Sequence, residues 1–238
     1  EICACLVGSE MCIRDRPELS PLTYGHTDAR LILRVGGSMG DVYGQRLLKR
    51  DLNGYILNEE GVGLAMENKE TYLGSILPKM NMGWSLGFGY KGVNLGMTFT
   101  GRFGGIVISE TQSVLDAAGV SKVSADVRDA GGVQINQSKV SAQTYYQTIQ
   151  GTAAYYTYSA TNVRLGELSL SYTLPKKWFD NKVGMTVGLV GKNLWMIYCK
   201  APFDPELTTS AASNFYQGFD AYMLPSTRNF GFNVKFQF

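Results

Sequence analysis

The chain has 238 residues, of which 45% are hydrophobic, 12% aromatic and 18% charged, and its formal net charge is +2. The hydrophobic content excludes a wholly disordered chain, and the small net charge without a Lys/Arg cluster gives no reason to expect a nucleic-acid partner. No run of about 18 apolar residues is present, so we expect no transmembrane helix. The combination of 28 Gly, 14 Tyr and 11 Phe favours an aromatic-bordered β-sheet with glycine kinks.

The first 16 residues differ in character from the rest of the chain. They show no periodicity and no signal-peptide layout, although they hold three of the four cysteines. The only histidine is His26, so the cysteines lack a second cluster of ligands and we expect no metal site. We expect residues 1–16 to be adapter-derived or otherwise non-native sequence, and residues 17–238 to belong to a protein that continues upstream of Pro17.

Short apolar runs alternate with turn-forming residues in the first quarter of the chain. Residues 31–35 are predicted to form a short strand that leads into a glycine-rich segment. That segment matches neither GxGxxG nor GxxxxGK(S/T), the two common patterns of nucleotide-binding loops. No amphipathic helix follows it, so a phosphate-binding motif is excluded. Residues 51–54 and 59–61 are predicted to be hairpin turns.

The clearest hairpin lies at residues 82–100. In 82–90 large apolar residues alternate with Gly and Ser, and in 93–100 apolar residues alternate with Asn, Gly and Thr. Lys91 and Gly92 are predicted to form the turn between the two strands. This period of two, over strands long enough to cross a bilayer at a tilt, is typical of a sheet with one apolar and one wet face.

Residues 106–161 lack this alternation, apart from a possible short helix at 114–118. Tyrosines are frequent in the second half of this long connection and are the best candidates for stacking on sugar rings or packing against a partner, with membrane-border aromatics as the alternative. They are Tyr145, Tyr146, Tyr155, Tyr156 and Tyr158. No catalytic constellation is found: Asp204 and Glu206 flank a proline and are predicted to form a turn.

Three further strands are predicted in the last third of the chain. In the strand at 163–174 the apolar residues change from odd to even positions. We therefore predict a bulge near Gly166 that redirects the strand. The next runs from 183 and ends at 191–195, and the last occupies 228–238. Arginines at strand ends (102, 164 and 228) are expected to anchor those ends against loop carboxylates. Aromatic and apolar residues share one face of the last strand, where we expect an assembly signal: Phe232, Val234, Phe236 and Phe238.

These patterns predict an all-β fold in which antiparallel C-terminal strands form part of a transmembrane β-barrel with long extracellular loops. Two alternatives remain open. One is a surface β-protein without transport activity, such as an adhesin. The other is a soluble sugar-binding β-sandwich, which would place apolar residues on the inner faces of two packed sheets.

Seven blocks of sequence occur in the order in which they stand in one known family. They are GDVY at 40–43, LGSILP at 73–78, GRFGG at 101–105, VRLGELSLSYTLP at 163–175, GKNLW at 191–195, DPE at 204–206 and LPSTR at 224–228. On these blocks the chain resembles the C-terminal end of the SusC/RagA family of TonB-linked outer-membrane transporters. It departs from the family at Ser75 and Gly166, and it lacks the plug and the TonB-contacting segment.

The resemblance implies a location in the bacterial outer membrane, in contact with its lipid. It also implies import of a large nutrient, an oligosaccharide or a peptide, by binding and gating without enzyme chemistry or a cofactor. The expected partners are a SusD-like surface lipoprotein and, through the missing N-terminal part, TonB.

Overall fold

The structure is a computed structural model that describes residues 22–23, 25–54, 56–59, 63–135, 138–175, 177, 183–207 and 217–237. The segment 1–16, expected to be non-native, lies outside these residues, as does Phe238. Two compact units are formed by discontinuous parts of the chain. The first combines Glu1–Leu77, Gly105–Ser159 and Glu206–Met223, and the second combines Pro78–Gly104, Ala160–Pro205 and Leu224–Phe238.

Strands dominate the described residues. In chain order they are β1 Leu22–Thr23, β2 Arg30–Leu31, β3 Asp41–Leu48, β4 Asn58–Glu59, β5 Gly63–Leu64, β6 Met66–Ser75, β7 Met80–Tyr90, β8 Val93–Phe103, β9 Ile106–Ser109, β10 Val133–Ile135, β11 Ser138–Val140, β12 Thr157–Ser159, β13 Asn162–Leu174, β14 Gly184–Cys199, β15 Phe219–Asp220 and β16 Asn229–Gln237. The α-helices are α1 Glu110–Ala117, α2 Lys122–Asp129 and α3 Ala142–Ile149. No helix among the described residues is both long and apolar enough to cross a membrane.

The first unit contains small sheets and all three of these helices. Its largest sheet has the antiparallel order β1-β2-β3-β6, and a second has the order β12-β9-β15, in which β15 runs parallel to β9. The pairs β4-β5 and β10-β11 are short hairpins. Strands β3 and β6 were not predicted, because polar residues interrupt their alternation, and the strand predicted at 31–35 is restricted to β2.

Each helix begins at a serine that caps its free backbone N–H groups. Ser109 Oγ accepts a hydrogen bond from the Gln112 N–H at 3.0 Å, and Ser121 Oγ accepts one from the Ser124 N–H at 3.0 Å. Ser141 caps α3 in the same way. A serine that accepts from the third residue after it stabilises the first turn. The predicted helix at 114–118 is therefore the second half of α1, and α2 and α3 are additional.

Two clusters of buried side chains form the core of the first unit. One consists of Ala29, Leu31, Val42, Ile76, Ile108, Ala153 and Phe219. The other joins the helices to the β3 and β5 region and consists of Leu48, Leu64, Ile135, Ala142, Tyr146, Ile149 and Tyr156. The long connection after β8 therefore supplies most of the second cluster, which packs against β3 and β5.

The second unit is one antiparallel sheet of five strands, in the order β16-β14-β13-β8-β7. The predicted hairpin is confirmed: Tyr90 pairs with Val93, and Lys91 and Gly92 have φ of 46° and 88°. Positive φ at both central residues is the conformation of the tight hairpin turn whose twist matches that of the strands. The sheet fits the predicted all-β fold with part of a barrel, and it does not close on itself within the described residues.

The bulge predicted near Gly166 is also confirmed. The register of β13 against both β8 and β14 shifts between Leu165 and Glu167. The predicted end of the next strand at 191–195 is wrong, because β14 continues to Cys199. Its additional residues pair with the start of β13, where Asn162 lies opposite Cys199 and Leu165 lies opposite Trp195.

Candidate functional site

One face of the five-stranded sheet is apolar from edge to edge. Residues that lie directly opposite each other on paired strands project to the same face. One such row runs from Phe88 through Leu95, Leu170 and Leu189 to Phe232. Apart from the half-buried Leu95, these large apolar side chains are exposed: Leu189 has 57% and Phe232 66% of its surface accessible. A continuous exposed apolar surface of this kind marks contact with lipid or with another protein.

The opposite face carries small and polar side chains. Ser85 and Thr98 form a hydrogen bond across β7 and β8 with an oxygen separation of 3.1 Å, and Thr173 and Thr186 lie 3.3 Å apart across β13 and β14. A Cβ at position 96 would lie 2.5 Å from Ser169 Oγ, so a larger residue there would displace the Ser169 hydroxyl. This face therefore presents hydroxyl and amide groups with little bulk.

Aromatic residues lie toward both ends of the apolar face. Trp84 packs against Phe99 with their ring centroids 6.0 Å apart, and the row continues to Trp195 on β14. Tyr90 and Tyr172 are placed near the tight-turn end. The 11 residues of β8 span roughly 34 Å, and at a tilt of about 40° this gives a height of about 26 Å, close to the apolar band of outer-membrane strands.

The two ends of the sheet differ in their connections. Lys91 and Gly92 join β7 to β8 at one end. At the other end Asn162 lies opposite both Arg102 and Cys199, so the long segments after β8 and β14 leave the sheet on the same side. Short turns at one end and long connections at the other match the predicted asymmetry of the loops.

Arg164 is held by a loop carboxylate at the long-connection end. Its Nη2 lies 2.6 Å from Asp204 Oδ1 and its Nη1 lies 3.0 Å from Asp204 Oδ2, and its Nε and Nη2 also lie near Asn162 Oδ1. The side chains of Arg164 and Asp204 are 11% and 7% exposed. Asp204 is therefore engaged in a buried ion pair, as expected for an arginine that anchors a strand end.

The five predicted tyrosines lie together in the first unit. Tyr146 and Tyr156 are buried in its second core cluster, and Tyr145, Tyr155 and Tyr158 are partly buried against it. The rings of Tyr145 and Tyr146 meet edge to face at 5.2 Å. Their clustering was not predicted, since the tyrosines come from α3, from the 3-10 helix Ala153–Tyr155 with the residue that follows it, and from β12. Contact with a substrate or a partner stays a prediction.

Hydrogen bonding distinguishes these tyrosine hydroxyls. Tyr155 Oη accepts a hydrogen bond from the Leu48 backbone N–H at 3.1 Å, whereas the buried Tyr156 hydroxyl has no hydrogen-bond partner in the described part of the chain. Burial raises the pKa of Tyr156, with the charge on Asp116 as the second cause. Burial, followed by the charge on Asp116, raises the pKa of Tyr158 to about 12. The hydroxyls of Tyr156 and Tyr158 therefore stay protonated at neutral pH.

A cavity of about 350 Å³ lies between the three helices. Tyr146 is the tyrosine of the cluster that lines it, beside Asp116, Ser124 and Arg128. The buried Asp116 accepts a hydrogen bond from Gln112 Nε2 at 2.7 Å. The cavity therefore combines a carboxylate, a guanidinium and an aromatic ring, and nothing in the sequence pattern revealed it.

The predicted assembly signal occupies β16. Phe232, Val234 and Phe236 lie on the apolar face opposite Leu189, Val187 and Met185 of β14. Phe238 lies outside the described residues, and a role in assembly stays a prediction. Within the described part of the chain no group of three or more His, Cys, Asp or Glu residues could hold a metal ion.

Comparisons with known proteins show similarity at the level of fold. No family model and no curated protein matches the chain. One match is a structure of the RagAB peptide importer in the closed-closed state. The matched region covers 92% of this chain and 24% of the chain in that structure, with 18% sequence identity and a TM-score of 0.57. A structure of the RagAB peptide transporter matches 75% of this chain and 21% of its own, with 21% identity and a TM-score of 0.51. The chain therefore spans about a quarter of these solved chains and is similar to that part in fold.

Proposed function

We propose that this chain is part of an outer-membrane importer, and that its five-stranded sheet forms a section of the transmembrane wall. The single observation that carries the proposal is the separation of the two faces across five paired strands. The apolar face contacts lipid, and the face of Gly, Ser, Thr and Asn lines an aqueous lumen. Alternation of lipid-facing and lumen-facing residues is the pattern that a strand needs in this position.

The similar solved structures support a role in transport, since they are described as a peptide importer and a peptide transporter. These descriptions favour peptides over oligosaccharides as the imported nutrient. From the resemblance to the SusC/RagA family we further propose a SusD-like surface lipoprotein and TonB as partners of the whole protein. The cycle consists of binding and gating, without covalent chemistry.

The experiment that tests this proposal compares two adjacent residues of β13. Leu170 lies on the apolar face and Ser171 on the polar face. Each is replaced by cysteine in a chain whose native cysteines are serine, labelled with an environment-sensitive fluorophore and reconstituted in lipid vesicles. We expect the label at Leu170→Cys to be quenched by nitroxide groups on lipid chains, and the label at Ser171→Cys to be quenched by iodide in water.

The two labels serve as controls for each other, because they are one residue apart on the same strand. Quenching of both by iodide, with no effect of the lipid nitroxide, would show that the sheet lies outside the bilayer. Protection of both labels from both quenchers would place the sheet inside a protein core and remove the basis of the transport proposal.

A further inference from the structure

A second cavity, of about 510 Å³, lies in the first unit beside strands β2, β3 and β6. Every residue that lines it is polar. Arg30 comes from β2, Gln45 and Arg46 from β3, and Asn68 from β6. Arg46 and Asn68 lie directly opposite each other on their paired strands. The sheet register therefore brings these side chains to one place from three strands.

Asp28 forms part of the wall of this cavity and is already fully engaged. One of its oxygens, Oδ2, accepts hydrogen bonds from the backbone N–H groups of Gln45 at 3.1 Å and Arg46 at 2.7 Å. The other, Oδ1, accepts one from the Ala153 N–H at 2.6 Å. The side chain is 7% exposed. Asp28 thus fixes the wall of the cavity and has little capacity left to bind a ligand.

The cavity has more hydrogen-bond donors than acceptors. The Arg46 guanidinium lies no closer to Asp28 than 3.8 Å, from Nε to Oδ2, and Arg30 has no ion pair among the described residues. Gln45 Nε2 is buried and has no hydrogen-bond partner among the residues that the structure describes. A buried donor without an acceptor is rare in folded proteins and marks a place where a ligand can supply one. The two arginines and one aspartate of the lining leave a net charge of +1.

We propose that this cavity binds a polar ligand through a carboxylate group. A guanidinium binds a planar carboxylate with two parallel hydrogen bonds, and a single negative charge balances the net charge of the lining. The side-chain amides of Gln45 and Asn68 can both donate and accept, which suits the amide or hydroxyl groups of the same ligand. The carboxylate could belong to the C-terminus of a short peptide or to an acidic sugar. The inference does not depend on the transport proposal, since the binding can be measured directly.

The test is calorimetric titration of the full chain in detergent micelles at low ionic strength. The probes are N-acetyl-triglycine, its uncharged C-terminal amide, glucuronate, glucose and inorganic phosphate. We expect a carboxylate probe to bind at least about tenfold more tightly than its uncharged counterpart, because charged hydrogen bonds are lost with the carboxylate. A preference for N-acetyl-triglycine or for glucuronate identifies which of the two sources fits the cavity.

Arg46→Gln and Arg30→Gln should each weaken binding of that probe about tenfold. The matched control is Lys69→Gln, which removes one positive charge next to Asn68 on β6 without touching the cavity. Near-ultraviolet circular dichroism reports whether each variant is folded, and Arg30→Gln provides the test if Arg46→Gln is not. Equal binding of the charged and uncharged probes, tighter binding of phosphate, or equal losses in Lys69→Gln would overturn the proposal.

Discussion

Arg164 and Asp204 form a bidentate ion pair that joins β13 to the segment after β14, and both side chains are about nine-tenths buried. We expect Asp204→Asn to lower the free energy of unfolding by about 3 to 5 kcal/mol, because it leaves the guanidinium buried without its counter-charge. The measurement is urea unfolding in detergent micelles, followed by tryptophan fluorescence.

The matched control for this substitution is Glu167→Gln on the same strand. Glu167 Oε2 lies 3.9 Å from Lys192 Nζ, and both side chains are about half exposed. Loss of this ion pair should lower the free energy of unfolding by less than about 1 kcal/mol, as for other surface ion pairs. If the two substitutions had the same effect, the ion pair at Asp204 would contribute no more than a surface pair.

Leu86 and Gly87 are adjacent on β7 and lie on opposite faces. If the apolar face contacts lipid, Leu86→Arg near the bilayer midplane should reduce the stability of the folded, membrane-inserted state by about 2 to 4 kcal/mol. Gly87→Arg, with no atom within 4 Å of its added Cβ, should cost much less on the polar face. Both free energies are measured by equilibrium folding of the variants into lipid vesicles at increasing urea concentrations. Equal losses for the two variants would argue against a difference between the faces.

The turn between β7 and β8 provides a test of the hairpin. A Cβ on Gly92, where φ is +88°, would lie 2.8 Å from the carbonyl oxygen of Thr173, so Gly92→Ala should cost about 1 to 3 kcal/mol. Lys91 has a positive φ as well, and Lys91→Asn creates the preferred Asn-Gly pair, with an expected gain of up to about 1 kcal/mol. The midpoint temperature of thermal unfolding should fall for Gly92→Ala and rise for Lys91→Asn. A shift in the same direction for both variants would contradict this turn geometry.

The strands of the second unit were predictable because each has one apolar and one polar face, and this contrast appears in the sequence as a period of two. The helices of the first unit were largely hidden. In α1 the buried residues are Glu110, Ser113 and Asp116, so its inward face is polar and leaves no apolar period. The cavity beside Gln45 was not predictable either, because it depends on the register between β2, β3 and β6, and β3 and β6 were not predicted as strands.

Tyr155 and Tyr156 are neighbours with opposite hydrogen-bonding states. Tyr155→Phe removes the acceptor of the buried Leu48 N–H and should cost about 1 to 3 kcal/mol. Tyr156→Phe removes a buried hydroxyl that has no hydrogen-bond partner within the described ranges, so its effect on the free energy of unfolding should be neutral or stabilising. Urea unfolding of the two variants tests this contrast, and a larger loss for Tyr156→Phe would show that its hydroxyl has a partner after all.

The last prediction concerns alkaline pH and Tyr158. Its pKa is raised from 10.0 to about 12, first by burial and then by the charge on Asp116. Between these two values the unfolded state loses the phenolic proton while the folded state keeps it, so the folded state binds more protons and stability falls as the pH rises. Below about pH 10 the contribution is complete, and it is lost as the pH rises through about 12.

Urea unfolding at several values between pH 9 and pH 12, with tyrosinate absorbance recorded in parallel, measures this loss of stability. Tyr158→Phe should remove part of the decline, because phenylalanine has no proton to lose. Tyr90→Phe is a suitable control, since Tyr90 is 72% exposed on β7 and belongs to the other unit. An unchanged decline in Tyr158→Phe would show that the alkaline loss of stability arises from other residues.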